Sequence, residues 1–361
     1  MVALLLARRG IQVRLIEQHR FPRDKVCGEC VSALGWKVLQ RVGLIARVKR
    51  AGAVRTNRGI IHGATGRAAQ IELPAAMWGI SRATFDSTLL EAAREAGVEV
   101  WQPARVEGHG QDDRGTNWAR VRHLENNSIE TIESDVVIVA DGKGAIGGMK
   151  PGTTNDFGIK AHYELPDAPR DAVQLFGLRG CYGGVAPIEE GLFNIACSVP
   201  RDRIERFKDV EAVFEEIVRE NRGFAELMRG AKRVSPWLAS PLPRFGVRSD
   251  WPPGVIPIGN AAAALEPIGG EGMGLALRSA ELAARALSNE PDVSVIQQRL
   301  QRDFIELWRC RRLLWRSVAM MVSRPILCEL AVDVMNVTNV GERLVTLAKG
   351  KDAINESASL Q

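Results

Sequence analysis

The chain has 361 residues, of which 45% are hydrophobic and 25% are charged, and its formal net charge is +5. This is the composition of an ordinary globular protein. The length allows two domains or one large enzyme fold, so no disulfide framework is needed to support a small core. Lys and Arg are scattered among Asp and Glu without a block of like charge, which argues against a nucleic acid as partner.

Six cysteines are irregularly spaced, at positions 27, 30, 181, 197, 310 and 328. In a chain of this length without a secretory signal they are expected to be reduced thiols, which favours a cytoplasmic location. No apolar run reaches the roughly 20 residues of a transmembrane helix. The mild positive charge leaves peripheral contact with an acidic membrane surface open. The five histidines lack the spacing of metal ligands, so no metal is predicted.

Hydrophobic periodicity and turn residues predict the following elements in chain order. Up to residue 150 they are a helix at 2–9, a strand at 12–18, a helix at 33–42, strands within 51–80, a helix at 81–97 with a short strand after it, and a buried strand at 132–140. After residue 150 the predicted elements are strands within 156–199, a helix at 201–229, a strand at 255–258, a helix at 274–287, and helices within 293–349 that are broken at Pro325 and Gly341.

Parallel-type strands with crossover helices are interrupted by antiparallel-type segments in this order. It predicts an α/β fold, in which a dinucleotide-binding domain carries an inserted mixed or antiparallel sheet domain and a helical C-terminus. The predicted binding domain is discontinuous and comprises residues 1–49, 81–150 and 251–292. The inserted substrate-binding domain comprises residues 50–80 and 151–250, and residues 293–361 form the C-terminal helices.

Two segments hold single candidates for ligand binding. In the first, a helix and Gly10 precede a strand that ends at Glu17, where an acid bonds the ribose hydroxyls in a dinucleotide-binding unit. A solvent-exposed acid at a strand end explains Glu17 equally well. In the second, the buried strand stops at Asp141-Gly142, and a turn with Gly144, Gly147 and Gly148 lets the backbone approach a ligand closely.

The third segment, GVIPIGNAAAALEPIGGEGMG, is the most informative. A strand leads to Gly259-Asn260, Glu266-Pro267 turn the chain, and the glycines from Gly269 to Gly274 open a helix. A helix N-terminus presents free N–H groups and the positive end of the helix dipole, so it stabilises a ligand that carries negative charge. A glycine-rich loop that only caps a packed helix is the less favoured interpretation.

Together these segments resemble the FAD-dependent oxidoreductases of the geranylgeranyl reductase and aromatic hydroxylase superfamily. RDKVCGE resembles its Arg/Lys-x-Cys-Gly segment, and SRATFDSTLLEAAREAG resembles its Arg-x-x-(Leu/Phe)-Asp helix. VVIVADG resembles its Asp-Gly turn, and GNAAAALEPIGGEGMGLAL its Gly-Asp…Pro…Gly-Glu-Gly flavin segment. CYGGVAPIEEGLFNIACSV is similar to the strand that covers the flavin in the reductase branch.

The resemblance implies FAD as cofactor and NAD(P)H as electron donor. It also implies that Arg82 contacts FAD and that Pro267 lies beside the flavin ring. The candidate catalytic residues are Cys27 and Tyr182. The candidate cofactor-binding residues are Glu17, Arg23, Lys25, Gly28, Arg82, Asp141, Gly142, Gly259, Asn260, Pro267, Gly269, Gly270, Glu271, Gly272 and Met273.

Two departures from the family pattern matter. Asn260 stands where the family has Asp, so it accepts a ribityl hydrogen bond without the added strength of a charge. The glycine fingerprint before the first helix is absent, and we expect either that the start at Met1 is misassigned or that the sequence is a fragment. A non-catalytic or truncated flavin-binding protein at a membrane surface is therefore the alternative to an enzyme.

The pair Cys27 and Cys30 has three interpretations. A structural zinc site needs four ligands, and no second C-x-x-C is present. A redox dithiol is weakened by the loop that separates the pair from the preceding strand. In the favoured interpretation Arg23 and Lys25 meet the FAD phosphate or ribose, and Gly28 lets the chain pass the flavin. Cys27 then contacts flavin or substrate, whereas Cys30 is a small buried hydrophobe.

Two reactions on a small hydrophobic substrate suit this pattern. They are reduction of an isoprenoid-type double bond and hydroxylation of an aromatic or polyketide-like compound. Halogenation is not expected, because the Trp-x-Trp-x-Ile-Pro segment of halogenases is absent. His162 is interpreted as a packed strand residue in preference to one that faces the pocket. For the Arg-, Trp- and Met-rich segment at 307–335, packing on the flavin domain is favoured over contact with a membrane surface.

Overall fold

The computed structural model describes residues 1–142, 153–207 and 209–338. The predicted turn glycines Gly144, Gly147 and Gly148 and the predicted break at Gly341 lie outside these residues. The helices of the described part are α1 (Val2–Ala7), α2 (Ala33–Arg41), α3 (Ile45–Arg50), α4 (Arg82–Glu95), α5 (Arg201–Phe207), α6 (Val210–Arg219), α7 (Arg222–Leu227), α8 (Gly272–Leu287), α9 (Val293–Val322) and α10 (Pro325–Val337).

The strands alternate with these helices along the chain. They are β1 (Arg14–Ile16), β2 (Cys30–Val31), β3 (Val54–His62), β4 (Ala68–Gly79), β5 (Glu99–Trp101), β6 (Ala104–Gln111), β7 (Asn117–His123), β8 (Ile129–Ser134), β9 (Val137–Val139), β10 (Thr153–Glu164), β11 (Ala172–Gly177), β12 (Tyr182–Pro187), β13 (Phe193–Pro200), β14 (Lys232–Arg233), β15 (Leu238–Pro243), β16 (Gly246–Val247), β17 (Val255–Pro257) and β18 (Ala263–Ala264).

One large sheet dominates the structure. Its order is β14-β10-β13-β12-β11-β3-β4-β2, with β15 also paired to β10, and its neighbours are antiparallel except for β3 and β11. Successive side chains of a strand point to opposite faces. Ile159 and Ala161 of β10 accordingly lie in the core beneath α6 and α7. Lys160 and His162 point to the other face, toward the N-terminal part of the chain.

The dinucleotide-binding part contains two parallel strand pairs, β1 with β5 and β9 with β17. Helices α1, α2 and α4 share a core with the start of α8. Helices α2 and α8 pack backbone to backbone, because a Cβ atom on Gly35 would lie 2.8 Å from the Cα atom of Gly274. This close approach fixes the N-terminus of α8 beside β2, which carries Cys30.

The predicted α/β fold with a mixed sheet and a helical C-terminus is confirmed, but three local predictions were wrong. The strand expected at 132–140 is two strands, since β8 belongs to the separate β6-β7-β8 sheet and the chain turns at Asp135 before β9. The helix expected at 201–229 is three helices, because the side chains of Asp209 and Asn221 cap new helix starts. Helix α3 was not predicted.

The predicted domain limits stay a prediction. The strands of the large sheet fall within segments 50–80 and 151–250, apart from β2, which comes from the first segment. Among the helices that the structure describes, none has both the length and the hydrophobicity to span a bilayer.

Candidate active site

The cysteine loop (residues 21–29) joins β1 to β2 and lies against the large sheet. Asn194 of β13 donates from Nδ2 to the carbonyl oxygen of Cys27 at 3.0 Å. On β10, a Cβ atom at Gly158 would lie 2.6 Å from the side chain of Val26, so only glycine permits this approach. The loop is therefore held against the face of the sheet that carries Lys160 and His162.

The glycine turn (residues 266–272) leads into α8 and contacts the same face of the large sheet, at strand β12. Tyr182 of β12 donates from its hydroxyl to Oε1 of Glu266 at 2.7 Å. Gly270 has φ +61°, and a Cβ atom there would lie 2.7 Å from Cε of Met77 and 3.3 Å from Cβ of Cys30. Because Cys30 directly follows the cysteine loop, the two predicted binding segments are brought together as the resemblance implied.

Four buried or partly buried groups form a charged cluster, defined as Asp24, Glu29, Lys160 and His162. Nζ of Lys160 lies 2.6 Å from Oε1 of Glu29, 3.0 Å from Oδ1 of Asp24 and 3.0 Å from Nε2 of His162. Oε2 of Glu29 lies 2.7 Å from Nε2 of His162. Glu29 and Lys160 are 0% and 1% exposed, so these contacts form largely away from water.

Charge balance explains the composition of the cluster. The ammonium of Lys160 lies among the oxygens of Asp24 and Glu29 and offsets the burial of the Glu29 carboxylate. The same geometry brings ligand atoms of Asp24, Glu29 and His162 within 4.8 Å of one another, as a metal site would. A bound cation would have to share that space with the Lys160 ammonium, so we interpret the cluster as an ion-pair network.

Glu29 also fixes the backbone around it. Its Oε1 accepts the backbone N–H of Arg82 at 2.8 Å, at the start of α4. Glu29 itself has φ +55°, a conformation that non-glycine residues rarely adopt and that persists only where neighbouring contacts enforce it. One carboxylate therefore ties the cysteine loop to α4 and to β10.

Arg82 and Lys25, two predicted FAD contacts, already share a partner. Both oxygens of Asp86 accept from Arg82, at 3.0 and 2.8 Å, and Nζ of Lys25 lies 2.8 Å from Oδ2. Burial raises the pKa of Asp86, but Arg82 and Lys25 outweigh it and bring the pKa below its ordinary value. A bound phosphate would share Arg82 and Lys25 with Asp86.

Cys27 and Cys30 occupy different surroundings, and neither is in a disulfide. Cys30 is buried beside Met77 and Ala186, and burial raises the pKa of its thiol to about 12. Cys27 is half-buried, and its Sγ accepts from the backbone N–H of Glu29 at 3.4 Å. A thiol that stays protonated makes a poor redox partner, so the dithiol interpretation loses support.

The start of α8 departs in part from the prediction. The carboxylate of Glu271 faces α9, where it accepts from Nε1 of Trp315 at 3.0 Å and lies 3.2 Å from Nε of Arg311. The side chain of Met273 is buried in the core of α1, α2 and α4, and a Cβ atom on Gly269 would strike Trp315. The side chains of Glu271 and Met273 are therefore engaged elsewhere, so at Gly269, Glu271 and Met273 only the backbone is left for the predicted cofactor contact.

The strand ends that carry the other predicted residues also meet. Strands β9 and β17 run parallel, and Ile258 donates to the carbonyl oxygen of Val139, so Asp141-Gly142 and Gly259-Asn260 follow neighbouring strand ends. The N–H of Gly259 donates to Oγ of Ser279 on α8 at 2.9 Å. Asn260 and the turn residue Pro267 are exposed.

Glu17 and Arg23 lie on the first strand and the loop after it. Glu17 follows β1 directly, and its Oε1 accepts the backbone N–H of His19 at 2.8 Å. Nη1 of Arg23 is buried and has no hydrogen-bond partner in the described residues. A buried donor without an acceptor is unusual, and it suits a missing anionic ligand.

Open space adjoins three of the predicted glycines. Among residues 1–142, 153–207 and 209–338, no atom would lie within 4 Å of a Cβ atom placed on Gly28, Gly142 or Gly272. Helix α8 has no side-chain cap at its N-terminus, so the N–H groups of its first turn keep their hydrogen-bonding capacity. Uncovered backbone, free helix N–H groups and the unsatisfied Arg23 together fit an extended dinucleotide such as FAD.

Sequence reasoning missed Glu29, Lys160, Asn194 and Glu266. The signal for Lys160 and His162 was present, because two polar residues alternate with apolar ones in the buried strand IKAHY. His162 is packed on its strand, as expected, and it also faces Glu29. The partner of the pair could not be found from sequence, because Glu29 lies 131 positions from Lys160.

Comparison with known families supports FAD binding by the N-terminal part of the chain. Residues 1–155 match the family described as FAD binding domain. The chain is 24% identical over 325 residues to conditioned medium factor receptor 1 of Dictyostelium discoideum. This alignment covers 83% of this chain and 63% of that protein. It is 24% identical to the menaquinone reductase of Mycolicibacterium smegmatis (94% and 88% covered) and 26% identical to the kynurenine 3-monooxygenase of Stenotrophomonas maltophilia (81% and 70%).

Solved structures of proteins with different names and reactions share this fold. A geranylgeranyl bacteriochlorophyll reductase-like protein of Thermoplasma acidophilum superposes with a TM-score of 0.79 at 19% identity, with 96% of this chain and 91% of that chain covered. The flavin-dependent brominase Bmp2 superposes with a TM-score of 0.77 at 18% identity, with 100% and 96% covered. Since the two scores are nearly equal, the fold alone does not distinguish the reactions.

The predicted resemblance is confirmed. The chain is an FAD-dependent oxidoreductase with the fold of the flavin monooxygenase and geranylgeranyl reductase group. FAD is its cofactor, and the cysteine loop, the glycine turn and the ends of β1, β9 and β17 carry the residues that would hold it.

Proposed function

We propose that this enzyme uses NAD(P)H to reduce a carbon–carbon double bond in a small hydrophobic, isoprenoid-type substrate. The observation that carries the proposal is the hydrogen bond of the buried Tyr182 to the half-buried Glu266, next to Pro267. The similarity to menaquinone reductase, which extends over 94% of this chain and 88% of that protein, supports a reductase in preference to a hydroxylase.

The surroundings of Tyr182 suit an apolar ligand. Tyr182 shares a hydrophobic cluster with Ile61, Ala69 and Ile268. On the same face of the sheet, the register places Gly184 of β12 opposite Ala196 of β13, so the residues next to Tyr182 there are small. An apolar wall with one polar pair orients a hydrophobic molecule at a single point.

Reduction of a double bond adds a hydride to one carbon and a proton to its neighbour. NAD(P)H gives up the hydride and becomes NAD(P)⁺, and FAD supplies the redox chemistry that links donor and substrate. In the proposal Tyr182 gives its hydroxyl proton to the substrate, and its hydrogen-bond partner Glu266, which is partly exposed, relays a replacement proton from solvent. Burial raises the pKa of both groups, which favours their neutral forms.

The charged cluster has a positioning role in this scheme. Glu29 lies two residues after Cys27, and its bonds to Lys160, His162 and the N–H of Arg82 fix the loop on which Cys27 and Gly28 lie. We expect the cluster to set the approach of the loop to flavin and substrate. Cys27 is then a contact residue, and Cys30 contributes packing.

Hydroxylation of an aromatic substrate is the second candidate, supported by the similarity to kynurenine 3-monooxygenase. A cytoplasmic location belongs to the proposal too, since all six cysteines are free thiols. The test is turnover of the FAD-loaded full chain with NADPH or NADH, with and without oxygen. Geranylgeranyl diphosphate and a prenylated naphthoquinone serve as trial substrates.

Anaerobic formation of a product with two added hydrogens per reduced bond is the expected result. Oxygen-dependent formation of a hydroxylated product from an aromatic substrate, without anaerobic reduction of either prenyl compound, would favour hydroxylation. Reduction that persists unchanged in Tyr182→Phe would remove the proposed proton donor but leave the reaction class standing.

A further inference from the structure

The last part of α9 and all of α10 have two different faces. Their inner faces pack with Tyr182 and Ile268 in one hydrophobic cluster, through buried residues such as Val322, Cys328 and Val332. Their outer faces point away from that cluster. The two helices therefore lie between the candidate active site and the surface of the described structure.

The outer face of α10 is apolar. Ile326, Leu330 and Val334 follow one another at a spacing of four residues, which places them on one stripe of the helix, and they are 83%, 59% and 44% exposed. Leu313 and Met320 of α9, seven residues apart, are 69% and 47% exposed. Large apolar side chains exposed in such a row mark an interaction surface.

Arginines lie close in sequence to these exposed residues: Arg309, Arg312 and Arg316 are within four residues of Leu313 on α9, and Arg324 directly precedes α10. Arg309, Arg312, Arg316 and Arg324 are all exposed. Among the described residues, no ion pair is formed by Arg309, Arg312 or Arg324. The acids of α10, Glu329 and Asp333, are both bound by Arg67 at 3.1 and 2.6 Å. The exposed apolar side chains of α9 and α10 are therefore accompanied by arginines, while the acids of α10 are paired with Arg67.

We propose that this outer face docks on the surface of a membrane that contains anionic lipid. An apolar stripe with basic neighbours is the pattern of a helix that lies in the membrane interface, where the apolar side chains enter the acyl boundary and the arginines meet lipid phosphates. The inner faces of the same helices contact Tyr182 and Ile268, so docking would bring the candidate active site next to a lipid-dissolved substrate. The docking itself does not depend on the proposed reaction.

Vesicle binding of the FAD-loaded full chain tests this proposal. Co-sedimentation is measured with vesicles of phosphatidylcholine alone and of phosphatidylcholine with phosphatidylglycerol, at low and high salt. We expect binding to the anionic vesicles that weakens with salt. The double variant Ile326→Ser/Leu330→Ser should lower the apparent affinity at least tenfold. Arg312→Gln should lower it about fivefold, as expected from ~1 kcal/mol per basic residue near an anionic surface.

Matched controls come from exposed residues elsewhere. Ile129→Ser removes a side chain that is 51% exposed on β8, and Arg222→Gln removes an exposed charge on α7. Both should leave vesicle binding unchanged. The FAD content of each variant reports folding, so that loss of binding is not mistaken for loss of structure.

Three results would overturn the proposal. They are a full chain that stays in the supernatant with anionic vesicles, equal losses in the control variants, and a lipid-free dimer that the double variant converts to monomer. The last result would assign the face to a second copy of the chain.

Discussion

The two segments that meet at the candidate site are held in different ways. The cysteine loop is held by side-chain charges, with Glu29 and Lys160 fully buried and bonded to each other. In and after the glycine turn, backbone shape and close packing matter more: Gly270 has φ +61°, and Gly274 at the start of α8 packs against α2. The loop depends on a buried charge, whereas Gly270 and Gly274 are sensitive to added atoms.

Because of this difference, substitutions of the charges that hold the cysteine loop should affect mainly stability, whereas substitutions at glycines that face the ligand should affect mainly ligand binding. Buried ion pairs are sensitive to loss of one partner, because the other charge is left without compensation. Glycines at a ligand site are sensitive to an added methyl group whether or not the fold tolerates it. Substitutions on the two sides should therefore move different measured quantities.

The largest effect is expected from Lys160→Ala. It leaves the carboxylate of Glu29 buried without its ammonium partner, which should lower the free energy of unfolding by about 3–5 kcal/mol. Lys232→Ala is the matched control, since Lys232 pairs with Glu164 on the exposed end of the same sheet at 3.6 Å, and should change it by less than about 1 kcal/mol. Urea unfolding measures both, and equal values would contradict the role of the cluster.

Tyr182→Phe should lower turnover about a hundredfold or more, the usual effect of losing a positioned proton donor. FAD content should stay at the wild-type level, because the substitution keeps the ring in its apolar cluster. Steady-state turnover and the flavin absorption spectrum measure these two quantities. Turnover within about threefold of the wild type would exclude Tyr182 from the proton transfer.

The pH profile follows from Glu266. Burial raises the pKa of this carboxyl, so its protonated form persists to higher pH than that of an ordinary Glu, and turnover should fall as pH rises through the raised pKa. Glu266→Gln should remove this alkaline decrease, since the amide does not titrate. A decrease that remains in the variant would assign it to another group.

Gly274→Ala should destabilise the fold by about 1–3 kcal/mol, because its Cβ atom would lie 2.2 Å from Oγ of Ser32. Gly272→Ala is its partner experiment, since Cβ there meets nothing within 4 Å. It should leave thermal stability unchanged and weaken FAD binding if the cofactor approaches this backbone. The reverse pattern, with stability lost at Gly272, would contradict the placement of the turn.

The smallest effects separate the two cysteines. Cys30→Ala should lower the free energy of unfolding by about 1 kcal/mol through lost packing, because Cys30 is buried beside Met77. Cys27→Ala should leave unfolding almost unchanged and shift turnover or the flavin spectrum. Large and equal losses of turnover in both variants would restore the dithiol interpretation.

The sequence predicted the features that rest on local patterns. Glu17 at a strand end, the turn at Gly270 and the helix after it were recognisable from their spacing, and the structure brings the cysteine loop and the glycine turn together. The split of 132–140 was missed because the acids near Asp135 interrupt an apolar run too briefly to outweigh it.

Contacts between distant positions could not be predicted in this way. Glu271 looked like a cofactor ligand because it lies between glycines, but its carboxylate bonds to Trp315 on a helix that begins 22 positions later. The partnership of Glu29 with Lys160 depends on the pairing of β10 across the sheet. Such pairs are set by tertiary packing, which no single stretch of sequence contains.

Amide hydrogen exchange with and without FAD tests the central claim most directly, that the cysteine loop and the glycine turn hold the cofactor together. The account predicts added protection at residues 27–29 and 270–274 when FAD binds, and none in the separate β6-β7-β8 sheet. Protection confined to other segments, with both of these unchanged, would contradict it.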